Sequence, residues 1–292
     1  MIDPLPDFDK LWDYNKAAET EQKLLSLLPQ AIASGDSAYV AELHSQIGRA
    51  KGLQGHFDEA HKSLDEAEAL LQPEDKRARV RILLERGRCF NSSKQPELSL
   101  PLFEEALHLA NDAEEDYYAV DAAHMLGIAA PEGERLAWNL KALEMAEASD
   151  DERAQAWKGS LYNNIGYFYM EEGKYADAMD LFERLLDYTS EKGDDDFAST
   201  ARWFIARVHR LKGDYATALE GQLELEKTSN AAGQPDAYVY EELGEIYLAL
   251  NEDEPRRKYF GLAHKLFHSD EQYIYIVKYE AERLDRIKEL SS

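Results

Sequence analysis

Residues 162–185, YNNIGYFYMEEGKYADAMDLFERL, hold two helical stripes separated by a break. Tyr162, Ile165, Gly166 and Tyr169 recur at i, i+3, i+4 and i+7, so they share one face of a helix. Gly173-Lys174 interrupts that stripe, and Tyr175, Ala178, Phe182 and Leu185 form the stripe of a second helix. Gly166 and Ala178 let the two helices approach closely, since no long side chain separates their backbones. Phe182 is sized to fill the gap between this pair and the next.

The same small residue returns along the chain at Gly48, Gly87, Gly127, Gly166, Ala206 and Gly244, in steps of 39, 40, 39, 40 and 38 residues. A fixed period of this size predicts one helix pair copied and stacked into a solenoid, with no strand and about fifteen helices. Ile47, Phe57, Ala60 and Leu64 accompany Gly48; Leu83, Phe90, Phe103 and Ala106 accompany Gly87; Leu243, Tyr247, Phe260 and Ala263 accompany Gly244. The third copy departs. Gly127 to Ala142 spans 15 residues where Gly87 to Ala106 spans 19, and Pro131 with Gly133 should shorten its first helix by a turn.

This pattern resembles the tetratricopeptide repeat (TPR) over about residues 41–268. The longer period is similar to that of TPR arrays in bacterial peptide-sensing regulators and kinesin light chains. The resemblance implies an all-α, right-handed superhelical solenoid of antiparallel helix pairs. Six repeats would occupy residues 41–268, between N-terminal capping helices at 1–40 and a C-terminal capping helix at 269–292, all in one continuous domain. Caps are needed because an end repeat would otherwise expose an apolar face. Phe8, Leu11 and Trp12 suggest a short first helix, residues 17–33 a longer one, and Asp270 an N-cap for the last. Tyr273, Val277, Leu284 and Ile287 would cover the final pair, with Lys278, Glu282, Arg286 and Lys288 facing water.

Composition narrows the function. The 58 acidic against 33 basic residues give a formal net charge of −25, which opposes nucleic acid and anionic membranes. No apolar run approaches the roughly 20 residues that span a bilayer, and Met1-Ile2-Asp3-Pro4 does not open a signal peptide. The single Cys89 leaves no internal disulfide and suits a reducing cytosol, so a cytoplasmic location is expected. Phosphate loops, nucleophile elbows and zinc motifs are missing. His264 and His268 lack a third ligand nearby, and Asp194-Asp195-Asp196 is better read as a helix cap after Gly193. The expectation is a non-enzymatic protein without metal or cofactor.

In the TPR family the side of each first helix opposite its packing stripe lines a concave groove. Carried onto this sequence, that side presents Arg49, Arg88, Asn91, His124, Asn163, Asn164, Tyr167, Trp203, Arg207 and Arg210 as peptide-binding residues, with Gln46, Arg81, Glu85 and Glu241, Glu242 and Glu245 among their neighbours. Asn163 and Asn164 sit inside a helix, where Asn has poor propensity, and an amide can both donate to and accept from a peptide backbone. The arginines can grip carboxylates through paired hydrogen bonds. Internal pairing competes with that role: Arg49 with Glu85, and Arg207 with Glu241 or Glu245. The leading expectation is a scaffold or sensor that binds a peptide or protein segment, with an acidic side chain or free C-terminal carboxylate as the group the arginines would hold. The alternative is a regulator acting on a kinase, phosphatase or transcription factor through an outer or terminal surface, with a signal peptide in the groove. Oligomeric state stays open.

Overall fold

A computed structural model describes residues 5–292, apart from the side chain of Asp196. These residues form helices and no strand. The chain divides into two compact units, Met1–Leu161 and Tyr162–Ser292. No described helix is long and apolar enough to cross a membrane.

The first unit opens with two short 3-10 turns, Phe8–Leu11 and Tyr14–Lys16, followed by α1 (Ala17–Ser34). Three helix pairs follow: α2 (Ser37–Leu53) with α3 (Phe57–Glu68), α4 (Lys76–Ser92) with α5 (Pro96–Asp112), and α6 (Asp116–Ala129) with α7 (Glu132–Ala148). A four-residue helix, α8 (Glu152–Gln155), ends this part. The next helix, α9 (Lys158–Glu171), contributes four residues to the first unit and the rest to the second. The second unit continues with α10 (Tyr175–Lys192), α11 (Asp195–Leu211), α12 (Tyr215–Ala231), α13 (Ala237–Ala249) and α14 (Asp253–Ser269). Within each unit, first helices of neighbouring pairs also touch: α2 with α4, α4 with α6, and α11 with α13.

The small residues stand where the helices meet. A Cβ added at Gly166 would lie 2.7 Å from Phe182, at Gly244 2.9 Å from Phe260, and at Gly48 3.0 Å from Leu64; at Gly87 it would overlap Phe103. All four partners are 0% exposed. Each follows its glycine by 16 residues, which spans the rest of the first helix, the turn and about half of the second helix. In the third pair the partner of Gly127 is Asn139, only 12 residues on, because α6 stops at Ala129 and α7 begins directly after Pro131. One helical turn is missing there, as Pro131 and Gly133 imply. Asn139 is 2% exposed and donates to the carbonyls of Gly127 at 3.3 Å and Arg135 at 2.9 Å, which satisfies its amide nitrogen. In the fifth copy Gln222 replaces the phenylalanine and donates to the Trp203 carbonyl at 3.3 Å.

Local signals behave as their chemistry dictates. Gly173 takes φ +72° in the turn after α9, a left-handed conformation that side chains resist. Asp194 accepts from the Phe197 amide at 3.0 Å and caps α11. Cys89 is buried, and burial pushes its thiol up to about 12, which disfavours the reactive thiolate at neutral pH. The C-terminal cap differs from the single helix expected. Asp270 caps a 3-10 turn, Glu271–Tyr273, and the chain then forms α15 (Ile274–Tyr279) and α16 (Ala281–Leu290), broken at Glu280. Two short segments can follow the end of α14 where one straight helix could not, and Tyr273, Ile276, Leu284 and Ile287 are all buried there.

Candidate binding surfaces

An arginine directly after the small residue of one copy reaches a glutamate two residues before the small residue of the next. Arg49 on α2 meets Glu85 on α4 at 3.1 Å, and Arg207 on α11 approaches Glu242 on α13 at 3.6 Å. Arg88 sits between Glu85, at 2.8 Å, and Asp121 on α6. Arg210 holds Glu242 through two bonds of 2.7 and 2.9 Å. Internal pairing therefore engages Arg49, Arg88 and Arg210. The partner of Arg207 is Glu242, not the expected Glu241 or Glu245. Those two are held by α16, Glu241 by Arg283 at 2.9 and 2.5 Å and Glu245 by Arg286.

Burial alone would push the Glu85 carboxyl up, but Arg49, Arg88 and Arg81 outweigh it and hold the pKa below the ordinary 4.5. Asp9 behaves alike: burial raises it, and the hydrogen bond and charge of Arg81 bring it below 3.8. A carboxyl with a depressed folded pKa contributes stability above its unfolded pKa and loses it as pH falls through the folded value. Stability of the first unit should accordingly fall as the pH drops below about 4.5. Urea titrations between pH 7 and pH 3 will show a shallower slope for Glu85→Gln than for the wild-type chain.

The second unit holds an open-sided cavity of about 1290 Å³. Tyr167, Trp203, Phe204, Arg207 and Arg210 line one part of it, and Tyr238, Glu241, Glu242, Tyr273 and Arg283 another. The aromatic wall is built from edge and stacked contacts: Tyr167 meets Phe204 edge-on at 6.3 Å, Phe204 stacks on Phe182 at 4.6 Å, and Trp203 stands edge-on to Phe204 at 4.9 Å. The Arg207 guanidinium lies 5.2 Å from the Trp203 ring. Two donors on this wall, Trp203 Nε1 and Arg207 Nε, are buried without a hydrogen-bond partner.

The other predicted residues disperse. Asn163 and Asn164 are half-buried on α9 and do not line the cavity; their side chains are 3.5 Å apart, and Asn163 Oδ1 has no partner. His124 is buried in the first unit, 7% exposed with its ring 5.0 Å from Trp157, and burial holds its pKa below the usual value. Asn91 is half-buried in the last turn of α4. Arg283, Tyr238 and Tyr273 escaped prediction because they belong to the C-terminal cap or to positions outside the family's groove pattern.

The family profile for the tetratricopeptide repeat matches residues 157–220. No curated protein matches the chain in sequence. Several solved structures share its fold. A signal transduction ATPase with numerous domains from Pyrococcus horikoshii, carrying a tetratricopeptide repeat sensor, superposes with a TM-score of 0.69 at 14% identity, over 94% of this chain and 42% of that one. BtubC from P. vanneervenii gives 0.60 at 16% identity, over 79% and 95%. NprR, solved in complex with its cognate peptide NprX, gives 0.54 at 14%, over 97% and 86%. Residues 157–220 thus carry the tetratricopeptide-repeat sequence, and the helix pairs of both units have the fold of tetratricopeptide-repeat solenoids.

Proposed function

We propose that the chain is a protein-binding scaffold and that the cavity of its second unit receives a peptide or an extended segment of a partner. The observation that carries this is the aromatic wall of Tyr167, Trp203 and Phe204 beside Arg207. Such a wall supplies the desolvated anchor contacts that dominate binding energy. Arg207 is the least engaged of the lining arginines, at 3.6 Å from Glu242 where Arg210 is at 2.7 Å, and its Nε has no acceptor. With its side chain 26% exposed, Arg207 can offer the open end of its guanidinium to a ligand carbonyl or carboxylate. NprR, a protein of the same fold, was solved with a bound peptide, which supports a peptide ligand here by analogy.

Selection of peptides from a random display library against the full chain, followed by titration of the winners, tests the assignment. The Tyr167→Ala/Arg207→Ala variant should bind selected peptides at least tenfold more weakly, and amidating a C-terminal acid should weaken binding to the wild-type chain. Rising salt should weaken it further, because ionic contacts at a partly open site are screened over about 8 Å at physiological ionic strength. Equal affinity of the two proteins for every selected peptide would place binding elsewhere.

A further inference from the structure

In the first unit, a segment of the chain already sits on the helix face. Residues 5–14 form an extended strap with one complete 3-10 turn, whose side chains meet α2 and α4. The strap leads into α1, where Thr20 Oγ1 accepts from the Asp13 amide at 3.1 Å and donates to the Asp13 carbonyl at 3.2 Å. Asp9 lies against Arg81 with two bonds of 2.6 and 2.9 Å, the bidentate pairing of an arginine with a carboxylate ligand. Phe8 is 5% exposed, packs edge-on to Tyr39 at 5.0 Å and lies beneath the Arg81 guanidinium at 5.1 Å. Trp12 Nε1 donates to Gln46 at 3.0 Å, and Tyr39 donates to the Pro6 carbonyl at 2.7 Å.

The face under the strap is built around positive charge. Arg81 bonds Asp9, the charges of Arg77 and Arg153 add to its hold, and Arg77 and Arg81 share Glu42 from the helices. Without Asp9 this is a cationic pocket in a chain of net charge −25. Arg81 would still be held by Glu42 at 3.2 Å and by the Tyr118 hydroxyl at 2.9 Å, so the pocket survives departure of the strap. Asp9 itself is 39% exposed along its side chain. Among the described residues, each hydrogen bond joining residues 5–12 to the helices involves a side chain, with no backbone ladder to break.

We propose that residues 5–14 are a resident ligand, and that the face formed by Tyr39, Gln46, Arg77, Arg81 and Arg153 is a docking site for an acidic segment of a partner protein. The partner carries an aromatic ring followed by a carboxylate, as Phe8-Asp9 does, and displaces the strap. The site is separate from the cavity of the second unit and stands or falls without it.

The test uses a fluorescent decapeptide of sequence LPDFDKLWDY and the full-length chain, wild-type and Phe8→Ala/Asp9→Asn. Fluorescence anisotropy should show at least tenfold tighter binding to the variant, whose strap is loosened, than to the wild type. A decapeptide with Asp9 replaced by Asn should lose at least tenfold on the variant. A folded variant that binds neither peptide, or both equally, overturns the proposal. Should the variant not fold, Asp9→Asn alone takes its place in the same titrations: a folded chain that gains no affinity for the wild-type decapeptide makes the strap a fixed part of the fold. A wild-type dimer in sedimentation, with straps exchanged between copies, also overturns it.

Discussion

Replacing Arg88 by methionine is expected to lower the stability of the first unit by about 3–5 kcal/mol, the usual consequence of removing one member of a buried ionic network. Arg88 bridges Glu85 and Asp121, and both carboxylates are almost fully buried, at 5% and 4% exposure. Glu85 keeps Arg49 after the change, but Asp121 loses the cation that faces it. Denaturant unfolding with an unchanged m-value is the measurement. Replacing Glu85, Arg88 and Asp121 together by apolar residues of similar volume should recover most of the loss, since no buried charge is then left unpaired. A single-variant loss below about 1 kcal/mol would show that water reaches the network, which buried charges of this kind do not allow.

The Gly166→Leu substitution is expected to destabilise the second unit by about 1–3 kcal/mol through overpacking. The first added carbon would already lie 2.7 Å from Phe182, well inside contact distance. Phe182 cannot turn away, because its ring is stacked on Phe204 with a 6° angle between planes. The remainder of the leucine would then separate α9 from α10 and open the aromatic wall of the cavity. Combining Gly166→Leu with Phe182→Ala should cost less than the sum of the two single changes, since the new side chain enters the space vacated by the ring. Strict additivity in thermal or urea unfolding would mean that the two residues do not share that space.

What was legible in the chain was what is local or periodic. The small residue at each close helix contact, the turn at Gly173, the cap at Asp194 and the shortened third copy all follow from propensity and helix geometry over a few dozen residues. The repeat period also named which arginines and glutamates share a face, and Arg49 with Glu85 came out as paired. It did not name the partner of Arg207. Glu241, Glu242 and Glu245 point in directions set by steps of about 100° per residue, and the rotation of α13 against α11 selects Glu242. The broken C-terminal cap lay outside the pattern too, because its two short helices are shaped by the surface of α14 on which they rest.

Sequence by itself determined the helix pairs, their order and the small residues at their close contacts, since these depend on residues a fixed short distance apart. Only the tertiary structure decided which charges are spent inside the protein. Asp9 and Arg81 are 72 residues apart and belong to no common period, yet they form a two-bond pair. The free energy of such a pair depends on burial and distance in space, and neither is written in the spacing of residues along a chain.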